Sequence, residues 1–355
     1  MRKEVLQLRR DRVTFGMVVG IPIIQILLFG FAINTDVRNL DAAVADQSGT
    51  HLSRQLVAEL KQTQVLNFRH EAATPEALND HLRRGEVSVA VLIPPDFDRR
   101  LMDPRRPAAQ LLVDGADPTI LGVANQLAGM PFRLDTQLDA QRPQTFEVRA
   151  YYNPERRTAI NIVPGLIGVI LTMTMMLFTA VAIVRERERG NLELLINTPI
   201  RNSELMIGKV LPYVGIGLVQ LAIILLVGRW LFDVPVRGSL AELYFASLLF
   251  ITANLGLGLF LSTIAQTQFQ AMQMMVFLLL PSILLSGFMF PFAGMPEFAR
   301  YLGELLPTTH YIRLTRGIML RDAGLIELRQ EFLTLAAFTA IAILFAVRRF
   351  SRKLD

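Results

Sequence analysis

The 355-residue sequence contains no cysteine. That excludes a disulfide framework and thiolate chemistry, so any exported part must be stable through its own hydrophobic core. Histidine is scarce as well: His51, His70, His81 and His310 fall singly, and none makes a recognised metal-ligand spacing with Asp or Glu along the chain. No catalytic constellation stands out among the remaining residues, and Gly208-Lys209 lacks the glycine-rich turn that precedes the lysine of a nucleotide-binding loop. Charge is also missing over long stretches, with no Asp, Glu, Lys or Arg between Leu243 and Pro296. Together these absences argue against a self-contained ATP-hydrolysing enzyme and point to a bilayer.

What is present agrees with that direction. Hydrophobic residues make up 52% of the chain, and they are gathered into long blocks. An uncharged block of about 18 residues or more is long enough to span hydrocarbon. Six spans are expected, at residues 13–34, 158–184, 210–228, 243–263, 271–287 and 330–348. The uncharged run from Leu243 to Pro296 is too long for one span and suits two, separated by the polar stretch Ala265-Gln266-Thr267-Gln268-Phe269-Gln270. The last block, Phe332 to Val347, is short, but Arg348 and Arg349 can snorkel at its end. The first block is longer than a signal-peptide core and is read as a retained span. The expected fold is therefore a polytopic α-helical membrane protein with six transmembrane helices and an extracytoplasmic α/β domain, residues 35–157, inserted between helices 1 and 2.

Orientation follows from basic residues, which collect in cytoplasmic loops. Arg2, Lys3, Arg9, Arg10 and Arg12 precede the first block, Arg185, Arg187, Arg189, Arg201 and Lys209 lie between the second and third, and Arg348, Arg349, Arg352 and Lys353 end the chain. With six spans all three clusters share one side, so both termini are expected in the cytoplasm and the large insert outside, in the periplasm. From Thr35 to Arg157 the insert carries fifteen basic and seventeen acidic residues, so the net charge of +5 arises elsewhere. The basic character is a mark of topology and a poor argument for nucleic-acid binding.

The insert alternates strand and helix patterns. Ala42 to Asp46, Val65 to Phe68, Val87 to Ile93, Ala109 to Val113 and Thr145 to Tyr151 read as strands. Leu52, Leu56, Val57 and Leu60 mark one helix, and Thr74-Pro75 opens another, with Thr74 as cap and Leu78 and Leu82 facing inward. Asp114 and Asp117 flank a turn that leads into a third helix, where a helix cap is favoured over a cation site. Residues 1–12 read either as an interfacial helix or as a solvated basic flank. Pro281 is expected to break the fifth span. Residues 288–307, with Pro291, Pro296 and Pro307, read as a broken or re-entrant helical pair at the outer face.

The stretch that organises the chain is the collar Arg185-Glu186-Arg187-Glu188-Arg189-Gly190, at the head of a cytoplasmic segment over residues 185–209. Leu192, Leu194 and Leu195 supply an apolar side beyond it, and Glu193 adds charge. A helix of this kind suits docking of a soluble partner. Equally, alternating charges pair along a helix leaving the bilayer, with the basic ones fixing topology. Both readings stand on the residues alone.

From Arg187 through Gly190-Asn191-Leu192-Glu193-Leu194-Leu195-Ile196-Asn197-Thr198-Pro199, followed by Glu204 and Gly208-Lys209, the sequence resembles the signature of ABC-2 type transporter permeases. The resemblance covers the whole chain and is closest to the bacterial drug-export branch with a large periplasmic insert. Asn34 to Asn39, Tyr152-Asn153-Pro154-Glu155, Val163-Pro164-Gly165, Leu285-Ser286-Gly287-Phe288 and Leu306-Pro307 look like further marks of that branch. Asn191 departs from the threonine common in the family, although an amide can still hydrogen-bond.

The resemblance implies a permease subunit in the bacterial inner membrane, coupled to a separate cytoplasmic ATP-binding subunit that holds the ATP and Mg, with no cofactor bound directly. It implies a second permease subunit, identical or homologous, and allows a periplasmic adaptor with an outer-membrane channel; no nucleic acid is implied. Carried onto this chain, Arg187, Glu188, Arg189, Gly190 and Glu193 would couple to the ATPase, and Gly287, Phe288, Pro291 and Pro307 would gate the outer mouth. The cargo implied is drug-like or amphipathic, moved by alternating access. A membrane-anchored sensor or scaffold, binding a ligand outside and a protein inside, is the alternative. A self-powered secondary transporter lacks support, since no charged residue lies well inside the expected spans to relay a proton.

Overall fold

In a computed structural model, residues 39–103, 106–115, 117–130, 145–189, 202–290, 292 and 295–351 are described. The first part forms a five-stranded mixed sheet, built from β1 (Leu40–Asp46), β2 (Leu66–Glu71), β3 (Val89–Ile93), β4 (Ala109–Asp114) and β5 (Phe146–Tyr151). The strand order is β2-β1-β3-β4-β5, and every neighbouring pair is parallel except β3 with β4.

Alternation along the strands fills two faces. Leu40, Ala42, Val44, Val89, Val91, Ile93, Leu111 and Val113 face one core with α1 (His51–Gln62), the short α3 (Phe97–Leu101) and α4 (Pro118–Ala128). Ala43, Ala45, Ala90 and Leu112 face the other, where α2 (Pro75–Arg84) packs through Leu78 and Leu82. With both faces covered, the central strands read as nearly continuous apolar runs. The Thr74 hydroxyl accepts from the Ala77 N–H, and Asp117 accepts from the Thr119 N–H at 2.9 Å. Such caps contribute about 1 kcal/mol each.

The second part is a helical bundle: α5 (Thr158–Glu188), α6 (Asn202–Phe232), α7 (Leu240–Ile264), α8 (Gln268–Leu285), α9 (Glu297–Glu304), α10 (Pro307–Arg321) and α11 (Arg329–Ser351). Five helical stretches are long and apolar enough to cross a membrane: α5, residues 210–232 of α6, α7, α8, and residues 329–346 of α11. This corrects the expected six spans with an α/β domain between the first and second. Among the described residues there are five, and the α/β domain precedes all of them. The expectation counts uncharged blocks along the whole chain, and absence of charge shows only that a stretch tolerates hydrocarbon. The span expected at 13–34 and the segment at 1–12 lie outside the described residues, as do Gly190, Glu193 and Pro291.

Pro281 does not break α8, which runs through it to Leu285. The proline removes one donor from the ladder, a loss that membrane helices tolerate among neighbours. At the bundle centre, Gly258 lets α7 meet α5, because a Cβ there would fall 2.8 Å from the Met176 carbonyl oxygen. Asn254, buried in α7, donates to Phe250 O of its own helix at 2.9 Å.

The α/β domain sits at one end of the bundle. Arg83 of α2 pairs with Glu327 at 2.6 Å, and the Arg237 guanidinium donates to Tyr152 O at 3.4 Å. Asn153, fully buried, receives the Arg157 N–H at 2.9 Å and donates to Asn161, fixing the first turn of α5. The collar lies at the far end of α5, so domain and collar occupy opposite ends.

Candidate functional site

The collar is a continuation of α5 by one turn past Val184, and its side chains reach the α7–α8 turn. The Arg187 guanidinium donates to the Ala265 carbonyl, at the C-terminal cap of α7. The Glu188 carboxylate accepts the Gln268 backbone N–H at 2.9 Å and the Gln268 side-chain amide as well. Gln268 is the first residue of α8, so Glu188 satisfies a donor that has no partner within the helix and places negative charge at a helix N-terminus. Arg185 Nε donates to Gln268 Oε1 at 3.2 Å. Beneath these contacts Met176, Ala180 and Val184 pack against Leu261, Ala265, Ala271 and Met275. The alternating charges therefore clasp a second helix turn. Arg189 is exposed as the C-cap residue of α5, and Glu188 keeps an exposed face.

At the opposite end, Gly287 takes φ +76°, a conformation that favours glycine, and turns the chain out of α8. Its carbonyl accepts from Arg316 at 3.2 Å. Phe288 then lies directly over Gly165 of α5, where an added Cβ would collide with the ring. Beyond the turn, Met295, just before α9, and Ala299 of α9 pack onto Leu284 and Leu285. Pro307 is buried as the first residue of α10, and Thr315 of that helix donates to Pro164 O at 3.3 Å. Two stretches distant in sequence, Pro164-Gly165 and Gly287-Phe288, thus form one contact.

The profile of the ABC-2 family transporter proteins matches residues 12–348. The chain belongs to the ABC-2 transporter family. It is 29% identical to the "Probable multidrug ABC transporter permease YbhR" of Escherichia coli K12, over 99% of this chain and 97% of that protein. YbhS of the same strain, also a "Probable multidrug ABC transporter permease", is 28% identical over 99% and 96%. The "Inner membrane transport permease YhhJ" is 28% identical over 87% and 84%. The chain is accordingly a permease, a multi-pass inner-membrane transport subunit that works with a separate ATPase and has no catalytic role of its own.

In this permease the end opposite the collar carries a charged cluster that sequence reasoning missed. His310, on α10, has Nδ1 at 2.5 Å from Glu331 Oε2 and Nε2 at 2.8 Å from the Glu304 carbonyl. Arg313 bridges Glu304 at 2.7 Å and Glu331 at 3.0 Å, and lies 4.5 Å from the centre of the Phe292 ring. Burial pushes the His310 imidazole down, but its hydrogen bonds to Glu331 and Glu304 and the Glu331 charge outweigh burial and hold it above its ordinary value. The cluster joins α9, α10 and α11 around the turn that carries Gly287 and Phe288. The one sequence signal is the spacing of His310 and Arg313, three apart on one helix face.

Proposed function

We propose that this permease exports a drug-like or amphipathic molecule from the cytoplasm or inner membrane, by alternating access driven by a cytoplasmic ATP-binding subunit. In this reading Arg187, Glu188 and Arg189, with Gly190 and Glu193 beyond them, receive the motion of the ATPase. Gly287, Phe288, Pro291 and Pro307 close the outer mouth. The observation that carries the reading is that one helix bears both ends of the device. The 31 residues of α5 hold the Glu188–Gln268 clasp at one end and the Gly165–Phe288 contact at the other. An α-helix of that length spans about 46 Å and moves as a rod, so displacement at the collar reaches the outer turn without a second relay.

In this reading the α/β domain is periplasmic and the C-terminus cytoplasmic, supported by the basic residues of the collar and by Arg348 at the end of α11, since basic residues collect on the cytoplasmic side. The drug-like cargo is supported by the names of the two Escherichia coli multidrug permeases. A second permease subunit, identical or homologous, completes the pathway. A periplasmic adaptor and outer-membrane channel fit the outward domain.

The test is a double-mutant cycle in proteoliposomes holding the permease and its ATP-binding subunit. Glu188→Ala and Gln268→Ala are each expected to cut cargo-stimulated ATP hydrolysis about tenfold, with the double variant no worse than either, as partners in one contact behave. Folded variants with unaltered hydrolysis and efflux would overturn the coupling role. Failure of the chain to bind any ATP-binding subunit would favour a sensor or scaffold.

A further inference from the structure

The α/β domain brings together three ligating side chains that are scattered in sequence. His70 belongs to β2, His81 to the last turn of α2, and Glu86 to the segment after it. One ligand atom from each lies within 4.8 Å of the others. His81 Nδ1 is 2.5 Å from Glu86 Oε2, and the two imidazoles are stacked with centres 4.6 Å apart.

Two backbone devices create this meeting. In a regular strand Phe68 and His70 would share a face, because side chains alternate. The pairing of β1 with β2 instead steps from Ala42 with Phe68 to Ala43 with His70, leaving Arg69 as an extra residue. This bulge turns His70 onto the face of Ala43, which is the face that α2 covers, while Phe68 packs into the opposite core. The second device is Gly85, at φ +70°, which ends α2. The Gly85 turn lets the Glu86 N–H bond to His81 O at 3.1 Å, and the chain doubles back to set Glu86 beside His81. Without the bulge His70 would face away, and without the left-handed turn Glu86 would continue past.

The geometry points to a binding site for a divalent transition-metal ion of the zinc class, held by His70, His81 and Glu86. Two imidazoles and a carboxylate are a donor set such an ion accepts, with a fourth position left for water or another ligand. Tetrahedral coordination at about 2.0–2.2 Å places donor atoms roughly 3.3 Å apart. His81 and Glu86 need to open by about 0.8 Å around the ion, and His70 to close by no more than about 1.5 Å and tilt out of its stack on His81 so that both ring nitrogens aim at the ion, movements within the reach of side-chain rotation. Glu86 Oε1 is 3.9 Å from Arg84, leaving Oε2 as the oxygen turned to the imidazoles. The site adjoins the joint between domain and bundle, since Arg83, two residues after His81, makes the ion pair with Glu327. It does not depend on the transport reading.

The absence of cysteine makes the test clean, because no thiolate competes for the metal. Full-length permease in detergent, with any affinity tag of histidines removed, would be titrated with Zn²⁺ by calorimetry and with Co²⁺ by visible absorption. The expected result is one saturable site whose affinity falls at least tenfold in His70→Ala and in His81→Ala, with the Co²⁺ bands lost. Glu86→Gln, nearly identical in shape, keeps the domain folded and is expected to lose the rise in melting temperature that Zn²⁺ gives the unaltered protein. His51→Ala should leave all three readings unchanged. Absence of saturable binding below millimolar Zn²⁺, or binding that survives in the His70→Ala, His81→Ala double variant, would overturn the site.

Discussion

A neutral imidazole offers one donor and one acceptor, whereas His310 faces two acceptors, the Glu331 carboxylate and the Glu304 carbonyl. The arrangement is satisfied by the protonated ring, and Arg313 on the next turn holds both acidic partners in place. Because the folded value is raised above the ordinary 6.5, this stabilisation is complete below 6.5 and disappears as pH rises through the folded value. His310→Gln cannot carry the charge. At about pH 6 it is expected to cost about 2 kcal/mol, or a few degrees of melting temperature, and the gap to the unaltered protein should narrow by about pH 9. Melting curves by scanning fluorimetry across that range check it; two profiles that run parallel would show that His310 titration is not coupled to folding.

At the scale of elements, the turn at Gly287 depends on close approach between α5 and the chain leaving α8. Gly165→Val puts a branched side chain where the Phe288 ring lies. Overpacking of this sort costs about 1–3 kcal/mol, and the displaced Phe288 is expected to lower cargo efflux several-fold. Phe288→Ala in the same chain should restore melting temperature, since the obstructing ring is gone. If efflux and stability fall equally with and without Phe288, the contact is not what Gly165 serves.

The same elements show what could be read beforehand. The Thr74 cap, Pro75 and the inward Leu78 and Leu82 were legible because they are local: each depends on residues within a few positions. The long apolar helices were legible from run length, but their number was not, since six uncharged blocks gave five spans among the described residues. Pro281 misled because a lost donor need not end a helix flanked by others. The clasp of Arg187 and Glu188 on Ala265 and Gln268 joins residues about eighty positions apart, and the His70 face depends on a bulge in strand pairing. No sequence period records either one. The polar stretch at 265–270 separates two spans, as its composition predicts, and is in addition the seat of the collar.

The whole molecule distributes its apolar surface unevenly. The most buried of the five spanning segments are those in α7 and α5, at 67% and 61% of their apolar windows, whereas α6 is buried over only 11%. On α6, Leu211, Val219, Leu226 and Trp230 are exposed, an aliphatic face with one aromatic near its end that suits lipid. On α5 and α8, the helices that meet at the collar clasp, the exposed large apolar residues include Met173 and Phe178, and Phe269, Met272 and Val276. A second permease subunit placed against α5 and α8 would line a path for cargo with the two helices that move, and polarizable methionines adapt to varied apolar shapes. The absence of native cysteine permits a direct test with single substitutions. Met173→Cys or Met272→Cys, oxidised in native membranes, is expected to give a disulfide-linked species of twice the 39.8 kDa chain when the two subunits are identical, while Leu226→Cys stays monomeric. If the subunits are homologous, the same result requires a matching cysteine in the partner. Cross-linking at Leu226 with none at Met173 or Met272 would move the subunit seam to α6 and leave the α5–α8 face to lipid.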